Sequence, residues 1–224
     1  MAGFSLFRPR RSSGGSALAD LRPARVVVFI DHQNMYHRAR AAFCTPDAPA
    51  AAGQIDPLAL ATLLAGRRHR PSRLTGVRVY RGEPHPVRQS RAHRAHRREF
   101  AACRGRAGEL LTLVTRPLTY PPDWPATPAR EKGIDVALAV DVVAMGLRDE
   151  YDVAIVASTD TDLEPAPEAV VALAGDPYPR CEVASWKAVG RQNSRLSAKG
   201  AGIWCHWLEK TDYLAVHDAT DYAR

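Results

Sequence analysis

The sequence predicts an α/β fold: a parallel sheet covered on both faces by helices. Short apolar runs recur at Val26–Ile30, Val77–Tyr80, Leu110–Val114, Val153–Ala157 and Cys181–Ser185. Helix-like segments separate them, which is the alternation of βαβ units. The runs are near-continuous in Val and Ile rather than strictly alternating, as in strands buried on both sides. A chain of 224 residues is long enough for one such domain with extensions and short for two.

The elements follow in order. Residues 1–22 hold Phe4, Phe7, Arg8, Arg10 and Arg11 and a Ser/Gly run, and are expected to be a flexible basic arm. The first strand runs into Asp31, and Gln33–Phe43 reads as a helix. After an Ala/Pro-rich loop, Asp56 and Pro57 supply an N-cap and a first-turn proline for a helix that Gly66 stops. On a helical wheel of the second connection, Ala92, His96, Phe100 and Cys103 share one face. Arg88, Arg91, Arg94 and Arg98 lie roughly opposite, as a solvated face or a surface that meets phosphates. The stretch RPLTYPPDWPATPAR is too Pro-rich for regular structure. EKGIDVALAVDVVAMGL is apolar almost all round, as a helix packed under a sheet would be. Its Asp135 and Asp141 lie about 240° apart around such a helix, so they do not share a face. Residues 187–224 are expected to extend from the domain and pack back on it through an aromatic run.

Composition narrows the function classes. Net charge is +7 and most of the cations are Arg, which bonds phosphate bidentately and favours a nucleic-acid partner. Base composition of a GC-rich genome explains the same excess. No run approaches the roughly 20 apolar residues of a membrane span, and no signal-peptide core is visible, so a cytoplasmic protein is expected. Cys44, Cys103, Cys181 and Cys205 are scattered without a CxxC pair, which argues against a structural zinc or a disulfide framework. His85, His93 and His96 stand among arginines and are not expected to ligate a metal. There is no GxxxxGK[ST] loop and no GxSxG elbow. Gln33 stands where an aspartyl-phosphate enzyme would normally carry a second aspartate.

What remains is a set of carboxylates. The first strand ends in Asp31, with Asn34 three residues on. The fourth ends in VAIVASTDTD, with Asp160 and Asp162. In an open parallel sheet the ligand site lies at the carboxyl ends of the strands, where strand order reverses, and the first and fourth strands usually flank that point. Asp31 and Asp160 would then be neighbours. Asp135 joins them if its preceding loop runs along the same edge; helix capping is its alternative role. Several carboxylates in one cleft repel unless a cation neutralises them. Mg²⁺ or Mn²⁺ prefers such oxygen ligands and activates water for phosphodiester hydrolysis.

These motifs, in this order, resemble the NYN-domain ribonucleases of the PIN-like superfamily, over roughly residues 25–186. The family's Asp-Gly-x-Asn reads IDHQN here, its Lys-Gly-Val-Asp-Val entry reads EKGIDV, and its Ser-Gly-Asp-x-Asp-Phe reads ASTDTDL. The resemblance implies a Rossmann-like, three-layer domain over residues 23–186 with a mainly parallel five-stranded sheet of order 3-2-1-4-5. It implies a carboxylate cluster binding Mg²⁺ or Mn²⁺, and hydrolysis of single-stranded or structured RNA. By position Asp31, Asp135 and Asp160 would be the main acids of the metal site and Asp162 an auxiliary one. Asn34 would orient Asp31 or water, Asp141 would be an additional acid, and Lys132 would contact phosphate. His32 and Thr159 replace the family's glycines and Leu163 its phenylalanine. His32 thereby brings a ring to a place where backbone is often close to the site. A non-catalytic RNA-binding module on the same fold and a DNA nuclease are the competing expectations. A homo-oligomer or a protein inhibitor completes the expected partners.

Overall fold

The computed structural model describes residues 22–173, 180–190, 192–199 and 202–224; the basic arm expected over 1–22 lies, but for Arg22, outside them. Six strands form one sheet of order β3-β2-β1-β4-β5-β6. They are β1 (Ala24–Asp31), β2 (Ser72–Glu83), β3 (Leu111–Pro117), β4 (Val153–Ala157), β5 (Arg180–Trp186) and β6 (Trp204–Leu208). Every pairing is parallel. The expected order 3-2-1-4-5 holds, with a sixth strand added at its end.

Six helices cover the sheet among the described residues. They are α1 (His32–Phe43), α2 (Pro57–Gly66), α3 (Ser90–Ala107), α4 (Ile134–Leu147), α5 (Pro165–Leu173) and α6 (Lys210–Val216). β1 sets the layers, because its successive side chains point to opposite faces. Val26, Val28 and Ile30 join one buried cluster with Met35 and Ala39 of α1, Leu60 and Leu64 of α2, Cys103 of α3 and Tyr213 of α6. Val27 and Phe29 join the other, with Ile134, Leu138 and Val142 of α4 and Val170 of α5. Fully burying each large side chain contributes roughly 1.5–3 kcal/mol, so the central strand is also the strongest anchor.

Helix entries follow local chemistry. Asp56 caps α2, accepting from the backbone of Leu58 at 2.8 Å and Ala59 at 3.2 Å, with Pro57 as the first helical residue. Gly133 precedes α4 at φ 74°, a left-handed conformation that only glycine adopts without a Cβ penalty.

The segment read as an extension is part of the sheet. Trp204 pairs with Glu182 and Leu208 with Trp186, so residues 204–208 complete the domain begun before residue 186. Glu182 binds both His206, at 2.8 Å, and the Arg68 guanidinium at the end of α2, at 2.9 Å. Beyond β6, Tyr213 of α6 stacks on Phe43 with ring centroids 5.2 Å apart and meets Trp186 edge-on at 5.9 Å. Described cysteines are all free, and no helix among the described residues is long and apolar enough to cross a membrane.

The amino edge of the sheet holds a satisfied carboxylate. Asp152, just before β4, accepts from the Arg25 backbone at 2.8 Å and from the Arg22 guanidinium at 2.8 and 3.0 Å. Burial alone would raise its pKa, but the bonds from Arg25 and Arg22 outweigh it and hold the carboxyl down to about 2. A depressed carboxyl pKa contributes stability that is present above the ordinary value near 4 and is lost as pH falls through about 2. Arg22 is half-exposed, so solvent screening trims the effect. Asp152→Asn is therefore expected to cost about 1–2 kcal/mol at pH 7. In urea titrations the gap to wild type should stay constant from neutrality to about pH 5 and narrow below about pH 4. A gap of the same size at pH 3 and pH 7 would rule out this account.

Candidate carboxylate site at the β1/β4 edge

Strand order reverses between β1 and β4, and their last pair is Ile30 opposite Ala157. The residues that follow are therefore brought together. Asp31 is 3% exposed and caps α1, its Oδ1 accepting from the Asn34 backbone N–H at 3.0 Å. Its Oδ2 accepts from the Ser158 hydroxyl at 2.8 Å. The same Ser158 oxygen accepts from the Asp160 backbone N–H at 3.1 Å. One hydroxyl thus joins the ends of the two strands. Asp160 repeats the role of Asp31, capping the 3₁₀ turn Thr161–Leu163 by accepting from the Asp162 N–H at 3.1 Å.

Asn34 makes the second cross-link. Its side-chain Oδ1 accepts from both the N–H and the hydroxyl of Thr159, each at 3.1 Å. Asn34 therefore fixes the β4 loop against α1 while its backbone holds Asp31. Thr159 is buried in this contact, and its extra atoms, absent from a glycine, are used rather than obstructive.

The charges of this edge disfavour one another. Burial raises the Asp31 carboxyl to about 6, against the bonds from Asn34 and Ser158, and the charges of Asp135 and Glu131 push it further up. Asp135, in the first turn of α4, is raised by burial and then by Asp160 and Asp162. Glu131 is raised by burial and by Asp135. Asp31, Asp135, Asp160, Asp162 and Glu131 thus form one electrostatically linked set.

Glu131 was not among the residues singled out from the sequence. It accepts from the Gly82 backbone N–H at 2.5 Å, and with its amide turned to donate, Gln33 reaches it at 2.8 Å. A Cβ at position 82 would fall 2.7 Å from the Glu131 Cγ, so only glycine admits this arrangement. The signal was present, since Glu131 opens the EKGID motif. Ser158 likewise stood unremarked inside ASTD.

Other expected residues lie elsewhere. Asp141 is bound to Arg78 at 2.7 Å and to the Tyr80 hydroxyl at 2.8 Å. It ties α4 to β2 and is not an acid of this cluster; its position on the helix turns it to a different neighbour. Lys132 is exposed beside Glu131. Arg88, Arg91, Arg94 and Arg98 are all exposed, the last three on α3. Arg98 is engaged by the carbonyls of Tyr222 and Arg224. The three histidines diverge: His96 is buried, His93 faces Glu83 at 3.4 Å, and His85 packs on Tyr120.

His32 turns out of the site. Its ring is 5% exposed and its Nε2 lies 3.2 Å from Glu99 Oε1 on α3. Arg81 binds the other Glu99 oxygen at 2.5 Å. Burial and Arg81 lower the His32 pKa, so the neutral ring donates to the carboxylate. Burial would raise Glu99, but His32 and Arg81 hold it well below the usual carboxylate range. The ring therefore fills the interior between α1, β2 and α3 and does not narrow the carboxylate site.

Among the described residues no three His, Cys, Asp or Glu side chains already converge on a single point as a metal cage would. The donor chemistry still fits a hard divalent cation. Every acid offers oxygen, and burial and then the neighbouring carboxylates hold Asp31, Asp135 and Glu131 above their ordinary pKa, the Arg81 charge offsetting this only at Glu131; a divalent cation would relieve that repulsion. Asp31, Asp135, Asp160 and Asp162, the four acids expected at a metal site, all belong to this linked set.

No curated protein matches the chain. A solved structure of a protein of unknown function from Vibrio parahaemolyticus is similar over 73% of this chain and 81% of its own, at 15% identity and a TM-score of 0.45. The family model of the NYN domain matches residues 25–173, which take in β1, the EKGID helix entry and the ASTDTD turn. The chain that carries this carboxylate edge belongs to the NYN domain family.

Proposed function

We propose that the chain is a divalent-metal-dependent ribonuclease that hydrolyses RNA phosphodiester bonds. NYN domains are generally nucleases on a PIN-like fold, which supports a hydrolase. The observation that carries the finer reading is the linked acid set at the β1/β4 edge, in which burial first, then Asp135 and Glu131, raise Asp31, and burial, then Asp160 and Asp162, raise Asp135. Holding unneutralised carboxylates together costs stability, and a fold that gains nothing from them would separate or pair them.

Bound there, Mg²⁺ or Mn²⁺ would neutralise the acids, acidify a water and stabilise charge on the phosphate. The protein's own part is positional. Ser158 and the Asn34 backbone fix both Asp31 oxygens, leaving each with a free lone pair. Gly133 starts α4 so that Asp135 lies in its first turn. Exposed Lys132 and the α3 arginines offer cations to phosphates along the strand. A catalytically weak RNA-binding module is the second reading, favoured by the absence of three converged acids among the described residues.

Cleavage of labelled unstructured RNA is expected to require Mg²⁺ or Mn²⁺ and to stop in chelator. Asp31→Asn and Asp160→Asn should each lower the rate by ~100-fold or more. Protein that binds RNA yet cuts none of several sequences with either metal would leave only the second reading.

A raised carboxyl pKa gives stability that is present below the ordinary value near 4 and is lost as pH rises through about 6. In metal-free buffer Asp31→Asn should therefore melt higher than wild type at pH 8, by about 4 °C. The advantage should vanish near pH 4. Mg²⁺ or Mn²⁺ should raise the melting temperature of wild type and leave that of Asp31→Asn nearly unchanged. Equal metal responses in the two proteins would exclude Asp31 as a ligand.

A further inference from the structure

We propose that Tyr120 and Trp124, braced by His85 and Arg88, form a subsite that stacks unpaired RNA bases beside the carboxylate edge. This rests on the ribonuclease reading and narrows its substrate to single strands. Both rings sit on the Pro-rich loop between β3 and α4, the loop that delivers Glu131 and Asp135 to the acid set. Its two arms are joined by mutual backbone bonds of Thr119 and Arg130, at 2.8 and 3.0 Å. At its far end Glu131 binds Gly82, three residues before His85.

The rings belong to neither buried cluster and are half-buried, open to solvent in part, unlike the core rings of Trp186 and Tyr213, each 4% exposed. They are nevertheless held by specific contacts. Trp124 meets Tyr120 edge-on with centroids 5.5 Å apart, and His85 meets it edge-on at 6.2 Å. The Tyr120 hydroxyl accepts from the His85 N–H at 2.8 Å and donates to Gln89 Oε1 at 2.7 Å. The Arg88 guanidinium lies 5.1 Å from the Tyr120 ring centroid. Partly open rings grouped with a guanidinium that lies over one of them are how proteins hold single strands, a ring face for a base and an Arg for a phosphate. In a duplex the base faces are already stacked on one another and closed to an incoming ring, so paired RNA would leave the rings idle.

Binding is best read where no cutting is possible, with the Asp31→Asn protein in chelator, so that failure of the ribonuclease reading and failure of the subsite give different results. Trp124→Ala and Tyr120→Ala are expected to weaken binding of a short uridine oligonucleotide about tenfold or more. Trp124→Phe, which keeps a ring, should restore most of the loss. An abasic strand of equal length should bind the unmutated rings as weakly as the oligonucleotide binds the Ala variants, and a blunt duplex should be insensitive to both substitutions. The abasic comparison needs no change in these rings, so it stands even where an Ala variant folds poorly. Abasic and uridine strands binding alike would overturn the proposal. So would a duplex that loses as much as the single strand in folded Trp124→Ala.

Discussion

The parallel pairing of β1 with β4 is the contact on which the carboxyl edge depends. Five consecutive pairs, from Val26 opposite Val153 to Ile30 opposite Ala157, bring the strands to the same level. Both strands are buried on both faces, so a slip of register would turn core side chains toward the wrong layer. The burial of valines and isoleucines thereby decides where Asp31 and Ser158 meet. Ser158 then transmits the alignment to Asp160, and Asn34 to Thr159. Neither acid is placed by its own attraction to the other, since their charges repel. The hydrophobic layers supply the order, and the polar cross-links refine it.

The two edges of the sheet treat carboxylates in opposite ways. At the amino edge Asp152 receives guanidinium and backbone donors and is favoured as an anion. At the carboxyl edge buried Asp31 and half-buried Asp135 and Glu131 lie near one another and are disfavoured as anions. The rest of the fold tolerates the second edge because the core and the first edge are locally consistent. Departure from that consistency at one place is the usual mark of a functional site.

Much of this was legible in the sequence. Val/Ile runs that cannot alternate polar and apolar gave away the buried strands, and Asp56-Pro57 marked a helix start through capping chemistry alone. The sixth strand was hidden because Trp204–Leu208 is aromatic and mixed, and only its pairing with β5 shows what it is. The wheel separated Asp135 from Asp141, but nothing in the spacing could show that Arg78 and Tyr80 wait for Asp141 across the sheet. Glu131 was overlooked for a similar reason: its place depends on how a long Pro-rich loop returns to Gly82. Local chemistry reads well along the chain; contacts made by a returning loop do not.

The His32–Glu99–Arg81 contact ties three distant positions into one inheritance. A glycine at 32 would leave Glu99 with a guanidinium on one oxygen and an empty space on the other, in a part of the interior that water reaches poorly. A histidine at 32 opposite an apolar residue at 99 would bury an unpaired imidazole. Positions 32 and 99 are therefore coupled. A change from histidine to glycine at 32 would be unfavourable unless Glu99 changed with it, and that coupling lies in the core of the domain rather than in its carboxylate edge.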